Sequence, residues 1–129
     1  MRNNQEYQLY KAVAMYLRLQ YPHVLYHYDP TGLDLSKTQS GMLKAIQGGK
    51  GFPDLMIYKP NGRYHGLFIE LKKEGTNIYK KSGAPATPHI AEQVECLMDL
   101  RSHGYKALFA VGFEQAKQII DDYLNPDNE

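Results

Sequence analysis

The stretch "GFPDLMIYKPNGRYHGLFIELKK", residues 51–73, sets three ionisable side chains, Asp54, Glu70 and Lys72, where a buried hairpin would carry valine and isoleucine. "DLMIYKP" and "YHGLFIELKK" are short apolar runs on either side of Asn61, Gly62 and Arg63, and an Asn-Gly turn in that setting predicts a β-hairpin. Successive strand residues point to opposite faces, so Glu70 and Lys72 share one face while Ile69 and Leu71 occupy the other. The turn brings Asp54, at the mouth of the first strand, alongside the strand that holds Glu70. Two converging carboxylates with no arginine to neutralise them need a cation, and Mg²⁺ suits because it takes one or two carboxylates, waters and phosphate oxygens. Such a cation polarises a phosphodiester, lowers the pKa of a bound water and offsets the charge that develops on cleavage. Lys72 would orient that water, help deprotonate it, or neutralise charge at phosphorus; the sequence leaves the three open. Taken alone, the D…ExK pattern also describes an exposed ion pair on an edge strand, with Asp54 as a turn residue.

The chain around this hairpin alternates helix and strand signals. Residues 3–20 repeat at helical spacing, with Glu6, Tyr10, Val13 and Leu17 on one stripe, Leu9 and Tyr16 widening it, and Pro22 ending it. "HVLYHY", 23–28, has strand composition. Residues 29–51, rich in Gly, Ser and Thr, read as a long connection with a helical hint at 41–47, and connections of that length are usually functional or mobile. After the loop 76–87, Thr87 as N-cap and Pro88 as first helical residue open a helix that runs to about residue 103 and stops at Gly104. "YKALFAVG", 105–112, is strand-like, 113–124 returns to helical spacing, and the last five residues should fray. The expected order is α-β-β-β-α-β-α, a mixed sheet flanked by helices in one domain spanning 1–129.

Composition limits the alternatives. The chain is 43% hydrophobic and 22% charged, with no apolar run long enough to span a membrane and no signal-peptide h-region, so an intracellular protein is expected. The single cysteine, Cys96, cannot pair within the chain, and no Cys/His pair has zinc spacing. His23, His27, His65, His89 and His103 lack ligand spacing and read as surface or core residues. The net charge of +1 conceals an uneven distribution: residues 35–81 hold nine Lys or Arg against three Asp or Glu, and 82–129 hold three against eight. A basic excess around the hairpin is the footprint of a phosphate-rich ligand, with Lys37, Lys44, Lys50, Lys73, Lys80 and Lys81 as the expected DNA contacts. Two inward polar residues add to the hairpin. Glu6 heads the apolar stripe of the first helix, Gln93 lies between Ile90 and Leu97, and a shared metal site would satisfy both.

"GFPDLMIY", "YHGLFIELKKEG" and "TPHIAEQVECLMDLRSHGYKALFAVGFEQAKQIIDDYL", with the first helix and its Glu6, together resemble the virus-type replication-repair nucleases (VRR-NUC), a branch of the PD-(D/E)xK phosphodiesterases. The resemblance covers most of the chain. It implies a restriction-endonuclease-like fold and a metal-dependent DNA endonuclease in which Asp54, Glu70 and the backbone carbonyl of Leu71 bind Mg²⁺, with Mn²⁺ as a possible substitute. It further implies that Lys72 assists the attacking water and that Glu6 and Gln93 complete the site. Stand-alone members of this family look like homodimers acting on branched DNA such as four-way junctions, and cutting both strands of a symmetric junction wants two sites about a two-fold axis. The strand after the third helix departs from the family's basic pattern, offering Lys106 and no arginine pair. Two other readings stand beside this one: a restriction-like or end-processing nuclease on linear duplex, and a non-catalytic nucleic-acid-binding module.

Overall fold

The computed structural model describes residues 4–30, 33 and 35–125. In chain order they form α1 (Asn4–Gln20), β1 (Tyr26–Tyr28), α2 (Lys37–Ile46), β2 (Leu55–Ile57), β3 (Leu67–Lys72), α3 (Pro88–Ser102), β4 (Lys106–Val111) and α4 (Phe113–Leu124). The strands make one sheet in the order β1-β2-β3-β4, antiparallel across the first two pairs and parallel between β3 and β4. The parallel pair follows from the connection, since α3 lies between β3 and β4 and carries the chain back to the starting edge. The result is a mixed sheet flanked by helices, the architecture expected from the sequence.

The alternation of β3 sorts the layers. Leu67, Ile69 and Leu71 are fully buried against Leu9, Tyr10, Val13 and Leu17 of α1 and Ala116, Ile120 and Tyr123 of α4. Burying a side chain of that size contributes about 1.5–3 kcal/mol, so this layer supplies most of the hydrophobic stabilisation. Tyr16 and Tyr21 fasten the same layer by donating to Asp121 Oδ1 at 2.5 and 2.7 Å. The opposite face belongs to α3, which buries Ile90, Gln93, Cys96 and Leu97. Thr87 caps this helix by accepting from the Ile90 N–H, Pro88 occupies its first turn, and Gly104 follows its end with φ +94°.

The hairpin is centred where the Asn-Gly signal puts it. Leu55 pairs with Ile69, Met56 with Phe68 and Ile57 with Leu67, a register symmetric about Gly62. Asn61 Oδ1 accepts from the N–H groups of Arg63 and Tyr64 and holds the turn. The ladder is shorter than the apolar runs: β1 covers 26–28 rather than 23–28, and β2 covers 55–57 rather than 54–60.

The larger difference is α2. The segment 29–51, expected as a connection with a helical hint at 41–47, carries a ten-residue helix, so the observed order is α-β-α-β-β-α-β-α. Its start is a capping box, in which Ser36 accepts from the Gln39 N–H while the Gln39 side chain accepts from the Ser36 N–H. The helix buries no residue, and its Met42 and Ile46 are exposed. Lys37 and Lys44 therefore stand on a helix, not in a loop. Asn3, part of the expected first helix, and residues 126–129 of the expected frayed end lie outside the described residues.

Candidate active site

Carried one step beyond the β2–β3 ladder, the register sets Asp54 opposite Glu70, and residues directly opposite on antiparallel strands have Cβ atoms about 4.5–5.5 Å apart. Gly51 helps to aim the segment that delivers Asp54. It holds φ +79°, and a Cβ there would stand 2.6 Å from the Glu92 carbonyl oxygen on α3, so a residue without a side chain is required. Asp54 and Glu70 are 7% and 4% exposed, an unusual depth for two carboxylates.

Each carboxylate is gripped by a different element. Asp54 Oδ1 accepts from the Tyr10 hydroxyl of α1 at 3.0 Å, and Oδ2 accepts from the Leu71 N–H at 2.9 Å. Glu70 Oε2 accepts from Gln93 Nε2 of α3 at 2.9 Å and lies 3.7 Å from Lys72 Nζ. The Lys72 carbonyl accepts from the Gly112 N–H on the β4 side, so by strand alternation the Leu71 peptide groups face the other edge, toward Asp54. Glu6 and Lys72 line the same cleft as Asp54, Glu70 and Gln93, a space of about 1100 Å³ closed on its far side by α2 and the 47–52 segment. The five expected site residues and the Leu71 backbone thus meet at one place, from α1, the hairpin and α3.

The electrostatics follow from burial. Removal from water is the main cause that pushes Glu70 up to about 10, and the neighbouring Asp54 charge adds to it. Burial raises Asp54 as well, against the lowering pull of its hydrogen bonds and of Lys72. The pair therefore holds a proton when nothing else neutralises it. Glu70 Oε1 is buried without a hydrogen-bond partner, as is Gln93 Oε1, and leaving a buried acceptor unpaired costs about 1–3 kcal/mol. Among the described residues no group of three or more His, Cys, Asp or Glu is set to hold a metal. The donor set suits a hard cation that takes two carboxylates and fills its shell with other oxygens, which is the habit of Mg²⁺.

No protein-family model matches the sequence, and no curated protein does. Among solved structures, a VRR_NUC domain protein superposes with a TM-score of 0.68 and 26% identity over 96% of this chain and 91% of its own. This chain folds as a VRR-NUC domain. A second structure, a VRR_NUC domain, superposes with a TM-score of 0.54 at 22% identity over 92% of this chain and 97% of its own, a likeness of fold. VRR-NUC is a nuclease-domain family, so the buried carboxylates sit on a fold shared with a nuclease-domain protein.

Of the expected DNA contacts, two line the cleft. Lys44 and Lys50 line the cleft, and Lys50 is also paired with Glu92 at 3.4 Å. Lys37, Lys73, Lys80 and Lys81 are exposed and do not line it. Lys106 lies over the Tyr64 ring, 5.6 Å from its centroid. Two residues of the site were not foreseen in their roles. Tyr10, read as a core residue, donates to Asp54; His89, read as an ordinary histidine, lines the cleft and contacts Gln93. His89 precedes Gln93 by four residues, a spacing that puts both on one face of a helix. None of the described helices is long and apolar enough to cross a membrane.

Proposed function

We propose that the protein is a Mg²⁺-dependent DNA endonuclease that hydrolyses phosphodiester bonds, selective for branched DNA such as four-way junctions and acting as a homodimer. The observation that carries this reading is the pair of buried carboxylates, Asp54 and Glu70, set opposite each other with an unpartnered Glu70 oxygen and with Lys72 beside them. Asp54, Glu70 and the Leu71 carbonyl would hold the cation. When bound, it supplies Lewis-acid polarisation of the phosphate and acidifies a water.

The chain's own groups do the rest. Tyr10 and the Leu71 N–H fix the Asp54 carboxylate, and Gln93 fixes Glu70, so neither needs to reorganise on binding. Lys72, 12% exposed and tethered to Glu70, brings a positive charge to the attacking water and to the oxygens of the phosphate. Glu6 extends the acidic wall on the α1 side. Branch selectivity and dimerisation rest on the family resemblance and on the economy of two symmetric sites for two strands.

The test is cleavage of a labelled four-way junction and a sequence-matched linear duplex, in Mg²⁺ or EDTA, by wild type and Lys72→Ala. Mg²⁺-dependent nicking of the junction, reduced at least about 100-fold in the variant, is expected. Equal cutting of both substrates would keep the chemistry and remove the branch selectivity. Binding in EDTA without any cutting would replace the reading with a binding module.

A further inference from the structure

We propose that His89 is a substrate-binding residue of the cleft, donating a hydrogen bond from Nδ1–H to a phosphate oxygen of the bound DNA strand. The inference rests on the nuclease reading for the identity of the strand and goes beyond it in naming the contact. His89 is the second residue of α3; its ring is exposed, and it lines the same cleft as Asp54, Glu70 and Lys72.

The hydrogen bonding of Gln93 selects the tautomer. Gln93 Nε2 lies 2.9 Å from Glu70 Oε2 and 3.3 Å from His89 Nε2. An amide nitrogen carries two hydrogens, one for each of these neighbours, and with the proposed cation in place Glu70 is a carboxylate that can only accept, which requires that the nitrogen, not the oxygen, face it. His89 Nε2 therefore accepts, which places the ring proton on Nδ1. No described residue takes a hydrogen bond from that Nδ1. The outcome is a rigid chain, Glu70 to Gln93 to His89, ending in an unused donor on the wall of a cleft that also presents Lys72 and Lys44. A donor in that setting matches an anionic oxygen acceptor. The first turn of α3 adds the favourable end of a helix dipole for the same charge.

Three substitutions separate this role from its rivals. His89→Asn keeps an N–H close to the position of Nδ1, His89→Gln keeps one near Nε2, and His89→Ala keeps neither. Affinity for a fluorescent junction DNA is measured with Ca²⁺ replacing Mg²⁺, alongside Mg²⁺ affinity by calorimetry and the thermal midpoint of each variant. The expected result is a 10- to 100-fold loss of DNA affinity in the Ala and Gln variants. His89→Asn stays within about threefold of wild type, and Mg²⁺ affinity is unchanged in all three. Wild-type DNA affinity in His89→Ala, or a loss in His89→Asn as large as in His89→Ala, overturns the assignment. Weakened Mg²⁺ binding in the variants also overturns it, since His89 would then be supporting the cation site. If wild type binds DNA through His89 but cuts nothing, the contact stands and the nuclease reading alone falls.

Discussion

Glu70 is the residue on which folding and the proposed chemistry pull in opposite directions. Its carboxyl is held far above the ordinary value of 4.5 by burial and by Asp54, so the folded chain binds a proton that the unfolded chain releases near that value. The stability this proton supplies is complete below about pH 4.5 and is lost as pH rises toward about 10. In EDTA the unfolding free energy should therefore fall across that window with a slope approaching ~1.4 kcal/mol per pH unit, and the thermal midpoint should fall with it. Added Mg²⁺ should flatten the fall by replacing the proton. Glu70→Gln should remove the slope, raise the midpoint in EDTA at about pH 8 and abolish cleavage. A midpoint indifferent to pH in EDTA would mean that water reaches the pair freely. Asp54, Glu70 and Lys72 were legible in the sequence because each interrupts an apolar strand, and Gln93 because it interrupts an apolar helical stripe. His89 was not, since an exposed histidine in a first turn acquires meaning only after Gln93 is seen to turn toward Glu70.

The elements that deliver these residues differ in how plainly they announce themselves. The hairpin and α3 carry turn and cap signals that agree with their apolar periods, and both fall where those signals put them. In α2 the Ser36–Gln39 capping box opens a helix at Lys37, ahead of the hint at 41–47, and nothing on that helix is buried to mark its inner face. The short connection from α2 to β2 holds a close backbone constraint, at Gly51. Gly51→Ala should cost about 1–3 kcal/mol, from the positive φ and from the collision with the Glu92 carbonyl. Because Asp54 lies three residues downstream, Mg²⁺ affinity should fall along with the midpoint. Calorimetric titration of the variant below its melting range checks this; unchanged metal affinity would mean that the hairpin alone aims Asp54.

Across the whole molecule the charge is less focused than the sequence suggested. Two of the six expected lysine contacts line the cleft, while Lys73, Lys80 and Lys81 lie on the 73–87 connection, which does not, and which is closed by the Lys80 N–H to Ala84 carbonyl bond at 2.8 Å. One-dimensional charge counting cannot separate a cleft lysine from one on a neighbouring loop. Neutralising Lys80 and Lys81 together should reduce the slope of log affinity against log salt by about 1–2 and leave the Mg²⁺ requirement intact. An unchanged slope would confine DNA to the cleft itself.

The parallel pairing of β3 with β4 bears on when activity can arise. A nascent chain that has emerged as far as Glu74 already carries Asp54, Glu70 and Lys72, but neither the helix that supplies Gln93 nor the strand that flanks β3 has yet been made. Tyr10 and the Leu71 N–H, the partners of Asp54, are already present, but Glu70 would lie on an open sheet edge without Gln93 to hold it. During translation the site proposed to cut DNA is thus completed only once α3 and β4 have joined the sheet.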